Sequence, residues 1–64
     1  MCQSKVIVVE DGNAEVVMTD VTLLEVKDGK IIVRNLLGKE LVLEGYEIDY
    51  IDFISHRIYL RLSV

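Results

Sequence analysis

Apolar residues along this chain either alternate with polar ones or run together in short blocks, and neither arrangement sustains a helical period of 3.6 residues. Ile58, Leu60 and Leu62 alternate with Arg57, Tyr59 and Arg61, and Leu41 and Leu43 alternate with Glu40, Val42 and Glu44. Such segments are strands with one wet face. Val6 to Val9 and Ile31 to Val33 are apolar throughout, the pattern of strands covered on both faces, and the N-terminal one is the candidate for a contact with a neighbouring chain. Glycines punctuate the pattern at Asp11-Gly12-Asn13, Asp28-Gly29, Leu37-Gly38-Lys39 and Glu44-Gly45. Asp28-Gly29 is the strongest hairpin signal, because both central positions of a type I′ turn need positive φ. Asp20 reads as a turn residue that bonds its own backbone. The pattern therefore predicts seven strands: Lys5 to Glu10, Ala14 to Thr19, Val21 to Lys27, Lys30 to Asn35, Glu40 to Glu44, Glu47 to Phe53 and Arg57 to Leu62. Strands this short and this closely spaced predict an all-β fold. A small closed or nearly closed, SH3-like barrel of antiparallel strands would fill residues 1–64 as one domain and leave no sticky edges.

Composition adds an expectation about assembly. A chain of 64 residues buries only about 60% of the surface that its unfolded form exposes. With 52% hydrophobic residues, some apolar surface is expected to be shared with a second copy, so the chain is read as a homodimer. Seven Lys and Arg against 11 Asp and Glu give a net charge of −4, which repels phosphate backbones, and no nucleic acid is expected. A single cysteine allows no internal disulfide framework and fits a reducing compartment, the cytoplasm by default. No run of residues approaches a membrane span, and the start of the chain lacks the apolar stretch of a secretory signal.

Few residues suggest chemistry. Cys2 lies just ahead of the first strand, whose pairing would tether its thiol close to a folded surface. One thiol is a poor metal site, but two copies of the chain could supply two. Otherwise Cys2 is an inert thiol at a frayed terminus. His56, in the turn before the last strand, reads as a solvated turn residue. Asp49 and Asp52 would point to opposite sides of a strand and cannot act as an acid/base pair. Tyr46, Tyr50, Phe53 and Tyr59 could stack bases, but without a basic groove they read as core and interface aromatics. No phosphate loop, nucleophile elbow or CxxC pair is present, so no enzyme is expected.

Taken in order, Met1-Cys2 leading into Lys5-Val6, Asp20-Val21 with Leu24-Glu25-Val26, Leu36-Leu37-Gly38-Lys39-Glu40, Gly45 with Ile48, Ile51-Asp52 and Ile58-Tyr59-Leu60 resemble the CooT family of small nickel-binding proteins. The resemblance runs the whole chain. It implies a dimeric β-barrel that supplies nickel to the nickel-iron carbon monoxide dehydrogenase, with that enzyme or its other maturation factors as partners. Some members have also carried a generic RNA-binding label. The cysteine after the initiator methionine, Cys2 here, is the family's metal ligand, whereas His56 matches no ligand position.

The resemblance is chemically coherent. Ni(II) favours planar nitrogen and sulfur donors, and a thiolate beside a local backbone nitrogen forms a compact chelate. Cys2 from both protomers, each with a backbone nitrogen of Cys2 or Gln3, would fill the plane around one shared ion on a two-fold axis. Two function classes follow: a nickel-binding homodimeric metallochaperone, or a nonenzymatic small barrel that binds RNA or a protein partner.

Overall fold

The structure, a computed structural model, describes residues 4–63. Six strands form one sheet: β1 (Ser4–Glu10), β2 (Asn13–Lys27), β3 (Lys30–Asn35), β4 (Glu40–Glu44), β5 (Tyr46–Asp52) and β6 (Arg57–Leu62). Their order across the sheet is β4-β3-β2-β1-β6-β5. The all-β expectation holds, and the two DG turns form as read. Asp11-Gly12 joins Glu10 to Asn13 with φ of 53° and 79°, and Asp28-Gly29 joins Lys27 to Lys30 with φ of 51° and 75°. Both positions of each turn are left-handed, as a type I′ turn requires.

The count of seven strands is corrected to six, because Asp20 does not end a strand. It takes a φ of 54° inside β2, beside register shifts on both of its partner strands. A left-handed residue at such a bulge bends a strand without breaking it. The first half of β2 then pairs with β1 and the second half with β3. Val21 sits at the pivot, in register with Ser4 on one side and Asn35 on the other.

Not every pairing is antiparallel, as the sequence pattern had suggested. β1 and β6 run parallel, with Lys5 beside Arg57 and Val9 beside Arg61. Nor does the barrel close. β4 and β5 occupy opposite edges of the sheet although only Gly45 separates them. The reason is geometric: an antiparallel hairpin needs at least two loop residues, and a single residue at φ 81° turns a corner without folding the chain back on itself. Ser63 N–H donates to the Gly45 carbonyl at 2.8 Å and holds that corner.

The core lies inside the curl of the sheet. Val6, Val8, Met18, Val21, Ile31, Val33 and Leu60 are its buried members, with Leu24, Leu41, Leu43, Tyr46, Ile48 and Ile58 packed around them. Ile7 faces the other way and is also buried, in register between Val16 and Tyr59. Both apolar faces of β1 are thus covered within one chain. This overturns the reading of β1 as the contact with a neighbour, since a central strand has no free surface to offer.

Candidate functional site

Register and backbone hydrogen bonds tie four segments to one row of the sheet. Ser4 stands opposite Val21, and Val21 opposite Asn35. The Leu36 N–H donates to the Asp20 carbonyl at 2.9 Å. On the other flank, the Lys5 N–H donates to the His56 carbonyl at 2.9 Å, and Arg57 lies in register with Asp52. The start of β1, the bend of β2 and the bases of the β3–β4 and β5–β6 turns therefore border this row, the first turn running back along Asp20 and the second running past Lys5.

Two turns here are built alike. In the β3–β4 turn, Asn35 Oδ1 accepts hydrogen bonds from the Leu37 N–H (3.1 Å) and the Lys39 N–H (2.9 Å). The Asn35 backbone closes the same turn, its N–H donating to the Lys39 carbonyl and its carbonyl accepting from Gly38, each at 3.0 Å. In the β5–β6 turn, Asp52 Oδ1 accepts from the Ile54 N–H (3.0 Å) and the Ser55 N–H (3.2 Å). These bonds favour the charged carboxylate; with Ser55 foremost and Arg57 assisting, they hold Asp52 below the usual carboxylate range. Each Asx residue satisfies its turn's amide donors from within, which leaves two consecutive apolar side chains nothing to pack on. Leu36 and Leu37 are 73% and 91% exposed, and Phe53 and Ile54 are 80% and 94% exposed, far beyond any core residue.

The residues singled out from sequence fall as follows. Cys2 and Gln3 lie outside the described residues. His56 is exposed at φ 58°, and its carbonyl, through Lys5, ties the last turn to the first strand. Asp49 and Asp52 do not converge: Asp49 meets Arg61 at 3.6 Å, a cation that also binds Glu47 at 2.7 Å, while Asp52 caps its turn. The aromatics are dispersed. Tyr46 packs against the core and donates its hydroxyl to Glu10 at 3.3 Å; partial burial and the nearby Glu10 and Glu15 carboxylates raise its pKa. Tyr50 and Tyr59 stack on each other with centroids 4.3 Å apart. Among the described residues, no three His, Cys, Asp or Glu side chains gather into a metal-holding group.

Both turns were expected from sequence, but the Asn35 and Asp52 caps that build them and the exposure of their apolar pairs were missed. Their signal was present as the apolar pairs Leu36-Leu37 and Phe53-Ile54 beside Gly38 and Ser55, in stretches where a turn should be polar.

The fold defines a small single-sheet β protein whose two Asx turns present apolar side chains to solvent. A family model described as CO dehydrogenase accessory protein CooT matches residues 1–61, and the chain belongs to the CooT family. A crystal structure described as a CooT from Carboxydothermus hydrogenoformans shares the fold with a TM-score of 0.86 at 21% identity, over 95% of this chain and 97% of that one. No curated protein matches the sequence. Membership implies an accessory role to carbon monoxide dehydrogenase, in keeping with the expectation of a protein that is not itself an enzyme.

Proposed function

We propose that this chain is a nickel-binding homodimeric accessory protein that supports nickel insertion into carbon monoxide dehydrogenase. One Ni(II), as cargo, would be held between two chains by the Cys2 thiolate of each protomer, with a backbone nitrogen of Cys2 or Gln3 completing each chelate. The observation that supports this reading most is the family match, which spans residues 1–61 and so includes Cys2. The sheet adds a constraint. Ser4 is anchored opposite Val21, and covalent geometry alone keeps a Cα two residues earlier within about 7 Å of the Ser4 Cα. In this reading the donors come from the chain start and from a second copy. Thiolate and amide nitrogen suit planar Ni(II), and an isologous dimer supplies two sets from one cysteine per chain.

Metal titration tests this directly. Wild type should bind one nickel per two chains with thiolate-to-nickel charge-transfer absorption, and Cys2→Ser should lose both without losing the strand signal in circular dichroism. Affinity should weaken at low pH, since the thiol must lose its proton to bind. One nickel per chain, or binding that survives Cys2→Ser and disappears in His56→Ala, would overturn the assignment.

A further inference from the structure

We infer that the open edge of the first half of β2 binds an extended segment of another protein, one that alternates apolar residues and carries an acidic side chain for Lys39. The bend at Asp20 creates this edge. Residues 13–21 of β2 pair with β1 on one side and residues 21–27 pair with β3 on the other, so no described strand stands beside residues 14–19 where β3 would otherwise continue. Glu10 and Asn13 close a two-residue turn and exchange hydrogen bonds. By the alternation of an antiparallel ladder, Ala14 and Val16 then direct their N–H and carbonyl groups to the open side. Beyond that edge lies a groove of about 340 Å³, with residues 16–19 as one wall and Asn35, Lys39 and Leu41 as the other. The Leu36 N–H, donating to the Asp20 carbonyl, joins the two walls at one end. A slot with a far wall admits a single extended chain, whereas a folded sheet, whose next strand lies about 4.8 Å further on, would run into Lys39 and Leu41.

The walls state what the occupant carries. Val16, half exposed, and Val17, Met18 and Leu41 offer apolar contact to alternate side chains of an added strand. Lys39 supplies charge. Its N–H and carbonyl serve the β3–β4 turn, but among the described residues its ammonium meets no carboxylate, whereas Lys30 is paired with Glu44 and Arg34 with Glu40. An acidic side chain on the incoming segment provides the missing partner. The outer edges of the sheet are less suited: β4 carries Glu40 and Glu44 and β5 carries Glu47, Asp49 and Asp52, charges that blunt strand addition, while residues 14–19 hold only Glu15.

Selection of a phage-displayed library of random peptides on metal-free protein tests the inference independently of nickel. Enriched sequences should alternate β-branched or aromatic residues and share an Asp or Glu. The leading peptide, made synthetically, should shift the amide resonances of residues 14–19, and Lys39→Glu, which sets like charges together, should weaken its binding about tenfold or more. That variant should keep the wild-type circular dichroism spectrum, because only the main chain of Lys39 serves the turn. Lys27→Glu, the same change of charge beside the Asp28-Gly29 turn, should leave the affinity within about twofold. The inference is overturned if no peptide is enriched, if enriched peptides lack an acidic residue, or if the shifts are confined to β4 or β5. Equal loss in Lys27→Glu would assign the effect to net charge and overturn it as well. Shifts at residues 14–19 that grow with protein concentration in the absence of peptide would show that a second copy takes the edge, which also overturns it.

Discussion

Asp52 shows how much a single side chain decides in the β5–β6 turn. Its carboxylate accepts two amide hydrogens of its own turn, and with Arg57 beside it the charged form is favoured, so its pKa falls below the ordinary value of 3.8. Because the folded state binds this proton less tightly than the unfolded chain does, the contribution is present above about pH 4 and is lost as pH falls through the folded pKa. An NMR titration of the Asp52 carboxyl carbon should place its midpoint below 3.8. Asp52→Asn should flatten that part of the acid unfolding curve, and a midpoint at or above the ordinary value would refute the cap. From sequence, Asp52 looked like one more strand residue, because Ile51-Asp52-Phe53 alternates correctly. The DG turns were legible because both residues of each pair prefer positive φ. An Asx cap instead depends on where amides two to four residues ahead point, which composition does not reveal.

At the scale of elements, β2 is where local preference and tertiary context parted. Asp20 does adopt the left-handed conformation that marked it as a turn, yet the strand continues through it. The φ preference is the same for a turn and a bulge. What separates them is the partner: Ser4 and Asn35, distant in sequence, both pair with Val21 and carry the strand across. The two-faced apolar character of β1 was likewise read correctly as double coverage, but the covering side chains come from its own chain. A β-branched residue at Asp20 would meet the steric cost of left-handed backbone. Asp20→Val should therefore lose about 1–2 kcal/mol in urea unfolding. Asp20→Gly, free of that clash, should stay within about 1 kcal/mol of wild type. Equal tolerance of the two would show that the bend does not depend on positive φ.

For the whole molecule, the strand pattern and hairpins were readable, whereas the sheet order was not, because nothing local distinguishes a parallel from an antiparallel partner. The candidate metal ligand was legible only through resemblance to a family. The exposure of the Leu36-Leu37 and Phe53-Ile54 side chains emerged only from the structure.

The parallel pairing of β1 with β6 carries a consequence for how the chain acquires its shape. Lys5 and Arg57 are neighbours in space and nearly the full chain apart in sequence, and β5 joins the sheet only through β6. A nascent chain emerging in order can form the β1–β2, β2–β3 and β3–β4 hairpins early, but the strand that completes β1 is made after the other five. Folding should therefore wait on synthesis and proceed on the millisecond-to-second scale of topologies dominated by distant contacts. Chains truncated before Arg57 should be degraded by a nonspecific protease as fast as an unfolded peptide, and a protected fragment would show that β1 to β4 fold without the last strand. The first strand can pair with β2 early through the Asp11-Gly12 turn, yet its other edge stays open until the sixth strand arrives.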